Sequence, residues 1–176
     1  MRRLMVIAAA LWSLAGVARA SGDDAEAWLR ELVTVPKLGP GGVEKARIAT
    51  NGDVFLAAAL ISDDKTWRQD AAWARKVCDR RGYVRDKPKR GLEGPAHRGY
   101  AASVFARLLD IEGGVWARVF DQTPRYAYRE LVVLGMIAPG GADNLLTTEE
   151  LASLLIAAER YRKVGPERLP QRGITQ

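Results

Sequence analysis

The 176-residue sequence carries 27 lysines and arginines against 21 acidic side chains, with a single histidine and a single cysteine. A lone cysteine excludes an internal disulfide, and a lone histidine excludes a multi-histidine metal site. The length is that of one domain, enough to bury a core of its own.

Met1-Arg2-Arg3, an apolar run from Leu4 to Val17 and the small residues of Ala18-Arg19-Ala20 have the layout of a secretory signal peptide cleaved before Ser21. The apolar run is about 14 residues, short of the roughly 20 that a membrane-spanning helix needs. Export is therefore expected for residues 1–20, giving a product in the periplasm or cell envelope with no transmembrane segment. No cysteine lies near the cleavage site to carry a lipid anchor. The remaining chain is about 156 residues with a net charge of about +3, less basic than the whole sequence.

Asp23 or Asp24 opens a first helix through Trp28, Leu29, Leu32 and Val33, and Pro36 stops it. A Pro/Gly turn over 37–42 leads to Thr50 or Asn51, which caps a helix over 54–61. A helix over 67–81 follows, with Gly82 as its cap, then a polar loop to Pro95 and a helix over 99–111. Gly113-Gly114 breaks the chain before a short apolar connector over 115–120. Pro124 opens a helix through Tyr128, Leu131 and Leu134 that ends at Gly135, and Pro139-Gly140-Gly141 turns the chain. Thr147-Thr148-Glu149-Glu150 forms a capping box for a last helix reaching Arg162. Residues 164–176 hold prolines and a glycine with little apolar content and read as a flexible tail.

A loop-to-helix segment recurs from positions 50, 97 and 147, at intervals of about 50 residues. The expected fold is all-α, with three helix-loop-helix repeats at about 24–62, 66–112 and 120–162 filling a domain over 21–163. Repeats of this kind present surfaces more readily than reactive groups.

The residues of the third copy carry a family resemblance. Phe120-Asp121 with Pro124, Tyr126-Ala127-Tyr128, Leu134-Gly135-Met136-Ile137 and 144–155 together resemble the S-layer homology domain. The resemblance covers roughly 25–162. It implies three helix-loop-helix units about a pseudo-threefold axis, with ligand grooves between units and non-covalent attachment to acidic cell-wall glycans or peptidoglycan-linked polymer. The family's Thr-Arg-Ala-Glu motif, whose arginine holds the ligand's anionic group, corresponds to His97-Arg98-Gly99-Tyr100 in the middle copy. The other copies read Thr50-Asn51-Gly52-Asp53 and Thr147-Thr148-Glu149-Glu150, so two of three grooves lack that cation.

Charge points to the same unit. Arg75, Lys76, Arg80, Arg81, Arg85, Lys87, Lys89 and Arg90 face only Asp79 and Asp86 along 75–90. A basic run of this kind is either a solvated loop or an anion-attracting surface. Export makes nucleic acid the wrong partner. The candidate ligand-binding residues are Arg98 for the anionic group, Arg81, Lys89 and Arg90 to steer it, and Tyr100 or Trp73 to stack on a sugar ring. Trp67 and Tyr83 lie in the same unit, while Trp28, Trp73 and Trp116 also fit buried helical positions.

Catalysis finds no support. Ser103 lies near His97 in sequence, but no nucleophile elbow or oxyanion glycines accompany it. The stretch 143–150 resembles half of a calcium loop, yet 139–142 lacks the early carboxylates. No cofactor is expected. The expected function is an exported, non-enzymatic binding module for a wall glycan, the alternative being an envelope protein–protein adaptor on the same scaffold.

Overall fold

A computed structural model of the chain describes residues 23–33, 47–62, 66–85, 88, 90–111 and 123–165. The expected signal peptide, the turn at 37–42, the connector at 115–120, Lys87 and Lys89, and the tail from 166 onward lie outside the described residues. The described residues form six helices: α1 (Asp23–Val33), α2 (Asn51–Ile61), α3 (Ala71–Arg80), α4 (Arg98–Leu108), α5 (Pro124–Val133) and α6 (Thr148–Val164). Among them the only β pairing is three isolated bridges, so the all-α expectation holds.

Four helix starts, those of α2, α3, α5 and α6, follow from local chemistry. Thr50 and Thr147 make full capping boxes, with Asp53 and Glu150 reaching back to the cap backbone of α2 and α6. Pro124 begins α5, and Gly135, just past its end, adopts φ +70°, open only to a residue without a Cβ penalty. Several boundaries differ from the sequence reading: α2 already starts at Asn51 rather than Val54, and α4 stops at Leu108 rather than Ile111. α3 begins at Ala71, not Trp67, because the Asp70 carboxylate accepts from the Ala72 and Trp73 amides and sets the cap there. Trp67 instead packs against Trp28 at 5.8 Å between rings, and its indole N–H donates to the Leu56 carbonyl at 3.1 Å. Burial of that large ring, with its polar atom satisfied, outweighs one further turn of helix.

The segments just before α2, α4 and α6 join one another in a closed ring. The Ala49 amide donates to Leu146 O (2.9 Å), the Leu146 amide to Ala96 O (2.9 Å), and the Ala96 amide to Ala49 O (2.8 Å). A second cycle surrounds it: Asn51 N–H to Gly94 O, Arg98 N–H to Asn144 O and Thr148 N–H to Arg47 O, each 2.9 Å. These donors are first-turn amides with no partner inside their own helices, so the loops satisfy what the helices leave open.

Helix packing follows the same order. α2 lies on α3, α4 on α5, and α6 on α1, while α2 also touches α4 and α6. Every residue of α2 is buried, and Phe55, Leu60, Phe105, Leu131, Leu151 and Leu155 are among the fully buried side chains of one continuous core. Arg162 of α6 donates to the carbonyl of Ile61 at the last residue of α2, a cation placed where a helix end is partially negative.

Candidate functional site

The short ring segments leave a groove of about 480 Å³ between the loop before α4 and the N-terminus of α5. Loop 90–94 is held in place by Asn51, whose amide donates to Gly91 O at 2.8 Å, and by the Gly52 amide on Leu92 O. Gly94 is required by crowding: a Cβ there would come within 2.5 Å of Arg90 O. The opposite wall is tied to α4 through the Gly99 amide on Ala142 O at 2.8 Å.

Arg90, His97 and Arg125 line the groove together with Asp143, and Pro88, Pro95, Pro124 and Tyr100 supply its apolar faces. Tyr100 is half-buried, with its ring held edge-on to Phe55 at 6.2 Å and 86°. The Arg125 guanidinium lies 3.2 Å from an Asp143 carboxylate oxygen, both side chains exposed. His97 Nδ1 stands 2.7 Å from the Asp143 carbonyl oxygen. Cations, an aromatic edge and proline faces in one groove can receive an anionic group attached to a flat or ring-shaped body.

Arg98, expected to hold a ligand's anionic group, is engaged internally and is not among the groove-lining residues. Its Nε donates to Glu150 Oε2 at 3.2 Å and its Nη2 to Oε1, a two-pronged grip suited to the planar guanidinium. The pair is largely shielded, with side chains 16% and 26% exposed. Burial by itself lowers the guanidinium pKa. The hydrogen bond and charge of Glu150, followed by Tyr128, outweigh that and leave it raised, so Arg98 stays charged. Gly140 makes room for this arrangement, because a Cβ there would collide with Arg98 Nη1.

The other expected residues separate. Arg90 and Tyr100 lie on the groove. Trp73 is half-buried on α3 with the Arg68 guanidinium 5.5 Å from its ring, and Arg81 is exposed at the C-cap of that helix. Within the basic run, Arg75 pairs with Asp79 at 3.4 Å and stands 5.8 Å from the Phe55 ring. Cys78 is fully buried and its thiol is pushed up to about 12 by burial and the neighbouring Asp79 charge, so it is an inert core residue.

Sequence reasoning missed Arg125 and gave His97 no ligand-binding role. Arg125 immediately follows a helix-opening proline, a signal for a first-turn side chain but not for the groove beside it. Ser103 is buried and its hydroxyl donates to the Tyr100 carbonyl at 2.8 Å, while the His97 imidazole is committed to Asp143. No group of three or more metal-ligating side chains occurs among the described residues, and none of their helices is long and apolar enough to cross a membrane. Comparison of the chain with family models, curated proteins and solved structures yields no match.

Proposed function

We propose that this chain is an exported, non-catalytic binding module built from three S-layer-homology-like helix-loop-helix repeats in a pseudo-threefold array. The closed ring through Ala49, Ala96 and Leu146 supports the array, as does the cyclic pairing of α2 with α3, α4 with α5 and α6 with α1. Its ligand is an acidic polymer of the cell wall, a carboxylated glycan or peptidoglycan-linked saccharide, held in the groove between the second and third repeats.

The observation that carries this reading is the meeting of Arg90, Arg125 and the Tyr100 ring on one groove. In this assignment the arginines contact the negative substituent and Tyr100 faces the sugar, while Arg98 supports the groove from behind through Glu150. The test is co-sedimentation of the protein, purified without residues 1–20, with cell-wall sacculi at low and high salt. Salt-sensitive binding that disappears in an R90A/R125A variant supports the module; sedimentation indifferent to salt and to both substitutions overturns it. N-terminal sequencing of the exported protein checks cleavage before Ser21.

A second reading is favoured by the neutralisation of Arg98 by Glu150 and by the partly exposed Ile48 (37%) and Leu145 (42%) flanking the ring. In it, the scaffold has given up the glycan and docks an envelope protein. Crosslinking in the intact envelope that captures one specific protein, with no retention on sacculi, would select this reading.

A further inference from the structure

His97 introduces a proton into the groove. A carbonyl oxygen can only accept, so at 2.7 Å from Asp143 O the imidazole Nδ1 carries hydrogen. Nε2 is then the atom that gains or loses the proton, and the contact with Asp143 persists in both charge states. The accepting carbonyl is itself fixed, since the flanking Ala142 and Asn144 carbonyls accept the first amides of α4 at 2.8 and 2.9 Å. Protonation thus changes the charge of the groove without undoing its wall.

Among the described residues, the charged and titratable groups that line the groove with His97 are Arg90, Arg125, Asp143 and Tyr100. Arg125 and Asp143 are paired at 3.2 Å and largely offset one another, which leaves Arg90 as the principal cation among the described residues. Arg98, the next residue in the chain, is neutralised by Glu150 and adds little field. With the Asp143 carboxylate engaged by Arg125, a carboxylate entering the groove supplies counter-charge to a protonated imidazole and Arg90.

Resting on the groove reading above, we propose that His97 is a proton-dependent cation of this site, so that a carboxylated saccharide binds more tightly as pH falls. By linkage, a carboxylate that favours the protonated ring draws a proton onto Nε2 as it binds. The bound state then presents a donor at Nε2 where the neutral ring offers only an acceptor. The arrangement couples retention on an acidic polymer to the acidity of its surroundings.

The experiment is titration calorimetry of the protein with an oligogalacturonide, whose carboxylates stay ionised throughout, at pH 5.5 and pH 8.0 in buffers of different ionisation enthalpy. Wild type is expected to bind about tenfold more tightly at pH 5.5, the size of one charge-assisted contact, with buffer-dependent heat reporting proton uptake. H97N cannot titrate and should bind equally at both pH values. Asparagine is a favoured residue at the N-cap of α4, so the variant should fold, and H97Q with a melting curve at each pH serves as the second check. Wild-type binding that is pH-independent yet abolished by R90A/R125A overturns this inference and leaves the groove reading standing. A pH dependence that survives in H97N and H97Q also overturns it. Absence of wild-type binding at either pH overturns both.

Discussion

The Glu150 carboxylate closes the capping box at the start of α6, accepting the Thr147 amide at 3.1 Å, and in the same position grips the Arg98 guanidinium of α4. One side chain therefore satisfies an orphan helix donor and neutralises a shielded cation. Glutamine also serves a capping box, so E150Q separates the two roles. E150Q should cost about 1–2 kcal/mol and E150A about 2–4 kcal/mol, since only the latter also loses the cap. Urea unfolding of the single variants, R98A and R98A/E150Q gives the coupling, expected at about 1–3 kcal/mol. A coupling near zero would mean that the two side chains stabilise the fold independently and the ion pair itself contributes nothing.

Glycine at the ring is a requirement of approach. In G99A the new Cβ would lie 3.1 Å from Ala142 O and 3.3 Å from Pro124 O, against rigid backbone. The usual helix gain of about 1 kcal/mol for alanine is then outweighed by overpacking, for a net loss of about 1 kcal/mol. G94A meets Arg90 backbone at 2.5 and 2.9 Å and should lose about 2–4 kcal/mol, visible as a lower melting temperature.

Cys78 sets an alkaline limit. Its folded pKa of about 12 lies above the ordinary 9.0, so the folded state holds its proton while the unfolded chain releases it. The stabilisation is fully present below pH 9 and is lost as pH rises from there through 12. Unfolding curves at pH 7 and pH 10.5 should show a larger drop for wild type than for C78A. The native thiol should also react with a disulfide reagent only after unfolding.

The groove arginines should matter for binding and little for folding. Arg125 and Asp143 form an exposed pair, a class worth less than about 1 kcal/mol, and Arg90 is exposed. R90A and R125A should each weaken attachment to sacculi about five- to tenfold and flatten its salt dependence, with melting temperatures unchanged. Equal retention of both variants would move the ligand elsewhere on the surface.

Some of this protein is written into short stretches of chain. Capping acts over about four residues, so Thr50 and Thr147-Glu150 announce the starts of α2 and α6 without reference to anything distant. Pro124 and Gly135 bracket α5 for the same reason, and the burial of Trp28, Leu29 and Leu32 follows from their helical spacing. Where two signals compete over distance, local reading fails. The Trp67 ring packs on Trp28, 39 positions earlier in the numbering, so α3 starts at Asp70's cap instead. Tertiary structure alone decides that Arg98 meets Glu150, 52 residues away, because electrostatic pairing depends on where helix ends converge and not on sequence neighbourhood. It also decides that Arg90, His97 and Arg125 share one groove while Trp73 and Arg81 stand apart. Side chains from separate loops become a site only when backbone hydrogen bonds such as Gly99 to Ala142 bring those loops together, and no periodicity within either loop encodes that closure.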